Sequence, residues 1–566
     1  MKNKYKDLSK EELVGKIEKL ESRKKYGLVW DEEKTKEKFE EDSENALPIL
    51  KEIKKKEIRT DKEASVNILI EGDNYHSLSV LNFTHQGKID VIYIDPPYNT
   101  GARDWKYNND YVDINDTFRH SKWLSMMSKR LKLSRKLLSE EGVLICTIDH
   151  NELATLKLLL QEIFSGKEIT CVTIVHNPSG IQGLNFSHNN EYALFVHKKN
   201  RKVIAPEERS IDDADVRPFI NGAKGNTKNY LRESGYNCFY PIFIKNNKVI
   251  GFGGVCEKDF HPKSDNIRKN EIIEIYPIDN KEVERKWLFS RASVEAIKNE
   301  LFVKYNKKGK KYKIFRTKNK INYKTVWVNN KFNAKTYGTL LLKEIIKTEF
   351  SFPKSLYAVE ECIKAVVHDK DNSIILDFFA GSGTTGHAIL DLNKKDGGKR
   401  LFIVCTNNEN KICEEVTYPR IRNVILGYKN LRNGKKEKGL KGNLKYFKTS
   451  FVRNNIGRDE MKIKITEQCT EMLCLRESIF DEIKNTKSYK VFKQKDKIMA
   501  IYYSLERNKI DSLKKELDKI SGDKILYCFT LDHLGLNEND FIGWDNVRLE
   551  PIPQKILDIY KNIYEY

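Results

Sequence analysis

Residues 88–98 read KIDVIYIDPPY, an apolar, β-branched run that stops at Asp95-Pro96-Pro97-Tyr98. Val, Ile and Tyr suit a pleated, buried strand. Two consecutive prolines end it, because neither has an N–H to give a ladder or a helix. Residues 376–389, LDFFAGSGTTGHAI, follow the same plan, with a glycine-rich turn that opens a helix. The neighbouring stretches alternate likewise. VNILIEG (66–72) reads as a strand and DNYHSLSVLNFTHQ (73–86) as a helix. Leu124, Met127, Leu131 and Leu138 share one face of a helix over 122–138, which Gly142 is expected to end. VLICTID (143–149) follows as a strand, LATLKLLLQEIF (153–164) as a helix, and ITCVTIV (169–175) and YALFVHK (192–198) as strands. The pattern resumes at 373 with SIILDFF, TTGHAILDLN and KRLFIVC, then a helix near 412–426. Such alternation indicates a mostly parallel α/β sheet, here in two parts of the chain.

The rest of the chain differs in texture. Residues 1–60 are dense in Lys and Glu and read as an N-terminal helical arm, with 32–64 a solvated connection. Residues 201–345 are polar, loop-rich and rich in Asn, Lys and Tyr, and form an insertion between the sheet parts 61–200 and 346–450. Residues 451–566 mix strands such as KIMAIYYS and KILYCFT with helices, as a small α+β domain.

Of 566 residues, 102 are Lys or Arg and 81 Asp or Glu, a net charge of +21 that favours a polyanionic partner. No apolar run approaches the roughly 18–20 residues needed to cross a bilayer. The opening MKNKYKDLSKEEL has no apolar core of a secretory signal, so a cytoplasmic location is expected. Ten cysteines are scattered without a CxxC pair, which argues for reduced thiols in a core and against a zinc site. The histidines are dispersed and imply no metal. His120 and His188 are candidates to line the site, with a structural role the default.

The two motifs carry chemistry. In an open α/β sheet, ligands bind beyond the carboxyl ends of the strands, where both motifs fall. Asp95 offers a carboxylate acceptor, Pro96 a carbonyl acceptor and Tyr98 a flat ring. Two acceptors and a stacking surface suit an exocyclic amine on a heterocycle. The glycines of 381–386 permit a tight turn, and the helix N-terminus favours a polar or anionic group. His387 stands where a P-loop needs lysine, and there is no Walker A sequence elsewhere, so an NTP motor is disfavoured.

Together, DPPY and Phe379-Ala-Gly381-Ser-Gly383 make the chain resemble the DNA amino-methyltransferases that use S-adenosylmethionine. DPPY precedes FxGxG, the permuted beta order. More specifically it resembles the modification subunit of type III restriction–modification systems. That likeness is carried by YGLVWDEE (26–33), EGDN (71–74), IYIDPPYNTG (92–101), SKWLSMM (121–127), NCFYPI (237–242), TVW (325–327), FPKS (352–355), LDFFAGSGTTGHAI (376–389) and TYPRI (417–421). The resemblance implies a Rossmann-like methyltransferase sheet, permuted and split by an inserted target-recognition domain. It implies that Asp95, Pro96, Pro97 and Tyr98 are catalytic. It gives S-adenosylmethionine to Asp73, Lys354, Asp377, Phe379, Gly381, Ser382, Gly383 and Thr384, with Asn407 or Glu409 for the ribose hydroxyls. The family usually has proline after the lysine, and Ser355 there is expected to loosen the turn. The implied partners are duplex DNA, a possible second copy of the chain, and a separately encoded nuclease–translocase subunit.

An amine conjugated to a ring is a poor nucleophile. Asp95 and the Pro96 carbonyl would hold its two N–H groups in line with a sulfonium methyl, and Tyr98 would stack on the base once flipped from the duplex. The absence of a Pro-Cys dipeptide argues against carbon-5 cytosine methylation. DPPY favours adenine N6 by resemblance, with cytosine N4, structured RNA, or a non-catalytic DNA-binding protein on this fold as rivals. Within the insertion, residues 304–324 hold ten Lys/Arg and no acid, interleaved with tyrosines. Lys307, Lys308, Lys310, Lys311, Lys313, Arg316, Lys318 and Lys320 are the candidate phosphate contacts.

Overall fold

The apolar runs pair into one ten-stranded sheet in the computed structural model. The structure describes residues 9–21, 28–31, 37, 46–61, 64–107, 110–180, 182–208, 215–221, 228–307, 309–318, 320–453, 457–532 and 535–564. Parts of the 1–60 arm and of YGLVWDEE, and Lys308, lie outside them. The strands are β1 Ala46–Glu52, β2 Val66–Glu71, β3 Ile89–Ile94, β4 Leu138–Ile148, β5 Lys167–Val175, β6 Asn190–Lys198, β7 Val326–Trp327, β8 Ile374–Asp377, β9 Leu401–Thr406 and β10 Asn443–Arg453. Their order is β1-β10-β2-β9-β8-β3-β4-β6-β5-β7. From β10 to β4 every neighbouring pair is parallel, whereas β6 runs antiparallel to both β4 and β5. Central parallel strands are covered on both faces, which is why β3 reads as an unbroken apolar run, with Ile89, Val91, Ile92 and Ile94 fully buried.

The helices that cover the sheet include α1 Asn74–Thr84, α2 Arg119–Leu137, α3 Leu153–Ile163, α4 Leu356–Val367, α5 Thr384–Asp396 and α6 Tyr418–Leu426. The chain leaves β3 through α2 towards β4, and leaves β8 through α5 towards β9. The winding therefore reverses between β8 and β3, which pair with Leu376 opposite Ile92. Such a reversal opens a crevice at the carboxyl ends of the two strands. DPPY hangs from one strand and the glycine turn from the other.

Four expectations change. Residues 46–52 are not a solvated connection: ALPILKE is β1, antiparallel to β10, with Leu47, Pro48, Ile49 and Leu50 buried. A four-residue apolar run is easily lost among lysines, but an edge position needs no more. Gly142 does not end α2, which stops at Leu137; it lies within β4, where a Cβ would meet the Ile89 carbonyl at 2.8 Å. The chain forms two compact units, 1–205 with 324–566, and 206–323. Residues 324–345 thus group with the sheet, because Val326–Trp327 pairs with β5 as an edge strand. Residues 451–566 do as well: their five-stranded sheet and helices share one apolar cluster with the main sheet, Met472, Ile501 and Tyr527 joining Leu47, Leu78 and Phe83.

The second unit is less irregular than its polar composition suggests. It holds a four-stranded sheet built from Ile242–Lys245, Lys248–Phe252, Asn266–Lys269 and Ile272–Ile275, and a three-stranded sheet built from Asp215–Pro218, Leu301–Asn306 and Lys311–Lys318. Phe219, Tyr240, Ile242, Trp287 and Ile314 form its core. No helix among the described residues is long and apolar enough to cross a membrane.

Candidate active site

Asp95 is the first residue beyond β3. The Thr147 hydroxyl, near the end of the adjacent β4, donates to Asp95 Oδ1 at 2.7 Å. The Lys354 ammonium lies 3.2 Å from the same oxygen. Lys354 also bonds the Tyr98 hydroxyl and Glu191 Oε2, and its ammonium stands 4.4 Å from the centre of the Tyr98 ring. The Tyr98 hydroxyl donates to Glu191 Oε2 at 2.9 Å. One cation and two carboxylates therefore surround the tyrosine.

Burial sets the electrostatics. It pushes the Asp95 carboxyl up; Lys354 pulls it down and Glu191 pushes again, and the balance stays above the usual range. For Glu191 burial also pushes up, but the Lys354 ammonium outweighs it and holds that carboxyl below its usual range. No sequence motif marks Glu191. It sits at the start of β6, whose antiparallel direction brings its first residues beside the carboxyl end of β4. The signal available was a lone acid opening the apolar run EYALFVHK.

The segment that carries Lys354 is fixed from behind. A Cβ on Gly338 would stand 2.2 Å from the Pro353 carbonyl, so only glycine permits this approach. Ser355, expected to loosen the turn, is buried and donates to the Lys331 carbonyl at 2.7 Å. Phe352, two residues before Lys354, is 90% exposed.

Across the crevice, Asp377 ends β8 and organises the glycine turn. Its Oδ1 accepts from the Phe379 N–H at 2.9 Å and its Oδ2 from the Thr385 hydroxyl at 2.5 Å. Burial pushes this carboxyl up to about 7, against those two hydrogen bonds. Gly381 and Gly383 adopt φ of +47° and +76°, left-handed conformations that favour glycine. A Cβ on Gly383 would meet Thr417 Cγ2 at 3.2 Å. The Thr417 hydroxyl donates to the Gly381 carbonyl at 2.6 Å, and the buried Arg420 donates to Ser382 Oγ and Thr384 Oγ1 at 3.1 and 2.7 Å. Ser382 and Thr384 thus face Arg420 inside the fold.

Asp73 caps α1 by accepting from the Tyr75 N–H at 2.7 Å, and Arg130 lies 3.4 Å from its other oxygen. Asn407 is exposed just beyond β9. Glu409 begins a short 3-10 turn two residues later. Asp73, Asn407 and Asp95 lie just beyond β2, β9 and β3, and Asp377 ends β8, so the four stand at the carboxyl ends of four neighbouring strands.

In the second unit the acid-free segment becomes a hairpin of Leu301–Asn306 and Lys311–Lys318. Acids from elsewhere in that unit reach it. Lys311 pairs with Asp265 at 2.7 Å and Arg316 with Glu300 at 2.6 Å, while Lys313 donates to Asn280 Oδ1 at 2.7 Å. Lys307 and Lys310 are exposed at the hairpin turn, and Lys320 is exposed beyond it. Lys318 ends the second strand. Among the described residues, no group of three or more His, Cys, Asp or Glu is placed to hold a metal ion.

Residues 89–418, more than half of the chain, match the family described as DNA methylase. The chain is 31% identical over 354 residues to the type II methyltransferase M.KpnI of Klebsiella pneumoniae, covering 60% of this chain and 79% of that protein. It is 29% identical over 406 residues to the type III restriction-modification enzyme EcoPI Mod subunit of Escherichia phage P1, covering 64% and 60%. The chain therefore spans less than two thirds of the Mod subunit's length. A putative DNA modification methylase from Thermus thermophilus has a solved structure that is 13% identical, with a TM-score of 0.30, covering 67% of this chain and all of that one.

Proposed function

The chain belongs to the DNA methylase family, and from that premise we propose that it transfers a methyl group from S-adenosylmethionine to adenine N6 in duplex DNA. The observation that carries this reading is the convergence of DPPY and the glycine turn on adjacent strand ends at the reversal of the sheet.

The residues fit the cofactor. The left-handed Gly381 leaves a cradle that a side chain would fill, its Cβ position 3.2 Å from Phe350 Cζ. Phe379 and Gly383 complete that turn, Asp377 holds it, and Ser382 and Thr384 lock it to Arg420. Asn407 is the better candidate than Glu409 for the ribose hydroxyls, because it directly follows β9 and is exposed. Asp73 borders the adenine end. When bound, S-adenosylmethionine supplies an electrophilic methyl group on a sulfonium.

The chain's own residues do the rest. Asp95 and the Pro96 carbonyl accept the two N–H groups of the flipped base, and Tyr98 stacks on its ring. Holding the amine in line accounts for much of the rate. Lys354 and Thr147 both engage Oδ1 of Asp95, so the other oxygen can accept the amine N–H with Lys354 in place. Lys354 sits beside Glu191 and can meet the cofactor carboxylate. Residues 206–323 read the target sequence, and Lys307 and Lys310 contact phosphates. The resemblance to Mod subunits supports a separate restriction subunit as partner and a second copy of the chain as a further one.

Incubation with methyl-labelled S-adenosylmethionine and genomic DNA tests the reading, with Asp95→Ala as control. Label on adenine that is lost in the variant is expected. Unlabelled DNA would refute it.

A further inference from the structure

A buried carboxylate holds the turn after DPPY and has no part in the chemistry proposed above. Glu152 directly precedes α3 and is fully buried. Its Oε1 accepts from Asn99 Nδ2 and from His120 Nδ1, each at 2.5 Å, and its Oε2 accepts from the Thr155 hydroxyl. The His120 tautomer follows from its other nitrogen, Nε2, which accepts from Arg119 Nε at 3.2 Å, so Nδ1 carries the proton. The His120 side chain lies half-exposed at the surface.

Asn99 is the residue after Tyr98. It is fully buried, with φ of +56°, a left-handed backbone that asparagine tolerates better than most residues. Its Oδ1 accepts from Trp105 Nε1 at 3.1 Å. The Pro97 carbonyl, one residue before Tyr98, accepts from Trp123 Nε1 at 2.7 Å. Tyr98 is therefore clamped on both sides, by Trp123 through Pro97 and by Glu152 through Asn99. Asp95 and Pro96 lie at the start of the same four-residue turn, so their placement depends on the same clamps.

We infer that Glu152 is a positioning residue for methyl transfer, acting through Asn99 to hold the DPPY turn in the geometry the reaction needs. The inference rests on the function proposed above. An alanine at 152 removes the 2.5 Å acceptor of the buried Asn99 amide, which keeps only a 3.4 Å contact with the Arg119 carbonyl, and removes the carboxylate partner of His120. The turn is then free to shift, and displacement by about 1 Å costs on the order of 100-fold in rate. Glutamine retains an oxygen for Asn99 and His120, and its amide can donate to the Thr155 hydroxyl.

The experiment compares full-length wild type, Glu152→Ala, Glu152→Gln, Asn99→Ala and Asp95→Ala in steady-state methyl transfer to genomic DNA. The affinity of each for S-adenosylmethionine is measured separately by calorimetry. Glu152→Ala is expected to lose about 100-fold in kcat with KM for the cofactor changed less than about threefold, and Glu152→Gln to stay within about threefold of wild type. Asn99→Ala is expected to reproduce the loss, and a further chain carrying both Glu152→Ala and Asn99→Ala to add little to it. If Glu152→Ala does not fold, Asn99→Ala and Glu152→Gln still decide. A normal kcat in Glu152→Ala or Asn99→Ala, or a Glu152→Gln as impaired as alanine, overturns the inference alone, provided wild type is active and Asp95→Ala is not. A wild-type chain that transfers no methyl group overturns the inference and the proposed function together.

Discussion

Replacing Lys354 by methionine removes one charge and little volume, and its effect can be worked from the distances. The ammonium is 3.2 Å from Asp95 Oδ1 and also bonds Glu191. At an effective dielectric of about 20, one such contact is worth about 5 kcal/mol of gross attraction. Removing one partner of a buried pair costs about 3–5 kcal/mol, because the other charge is left uncompensated. Asp95 is 24% exposed at its side chain and Glu191 only 4%, so the loss falls chiefly on Glu191. In the wild type the Glu191 carboxyl is held below its usual range, so it contributes stability at neutral pH that is lost as pH falls through its folded value. Without Lys354, burial is opposed only by His176 and the Tyr98 hydroxyl, so the carboxyl is expected to rise above that range and the sign to invert: the variant should be most stable in acid and weaken as pH rises. Urea unfolding at about pH 5.5 and about pH 8 measures both. Lys354→Met should be less stable by about 3–5 kcal/mol at the higher pH, with the gap closing by about 1.4 kcal/mol for each pKa unit that Glu191 gains. A deficit below about 1 kcal/mol at the higher pH, or one equal at both, would refute the reasoning.

Three further outcomes follow from the same geometry. Gly383→Ala forces a left-handed alanine against Thr417, at a cost of about 1–2 kcal/mol; it should lower the melting temperature and weaken cofactor binding in calorimetry. Asp377 has its carboxyl raised to about 7, so folded-state stability falls as pH rises from the ordinary carboxyl range through that value. Asp377→Asn, which still accepts from the Phe379 N–H, should remove that slope in denaturation curves, and parallel wild-type and variant profiles would contradict it. In the second unit, Lys307→Glu and Lys310→Glu should weaken DNA binding and flatten its salt dependence, as a gel-shift titration against salt would show. Arg316→Ala should instead act mainly on the unit's stability, because Arg316 is already paired with Glu300.

What was legible in the sequence was what lies close together in it. DPPY and the FxGxG turn each fit within ten residues, and strand–turn–helix composition places each at a strand end. Their convergence follows from the reversal of the winding, a rule of α/β sheets rather than of any residue. Glu191 and Glu152 were not legible. Glu191 reaches the site only because β6 runs antiparallel to β4, and Glu152 only because the start of α3 meets the turn after Tyr98. Pairings across 93 and 53 residues leave no local pattern. The same limit applies to charge: 304–324 holds no acid, yet Asp265 and Glu300 neutralise part of it through sheet pairing and packing. β1 leaves little trace in the sequence, because four buried residues beside a lysine-rich stretch carry too little periodicity.

The central claim is that Asp95 directs a methyl group to adenine N6. Mass analysis of nucleosides from DNA treated with the wild-type chain or Asp95→Ala, with S-adenosylmethionine as the only methyl source, tests it most directly. The account predicts N6-methyladenine from the wild type and none from the variant. N4-methylcytosine in its place, or equal N6-methyladenine from both chains, would contradict it.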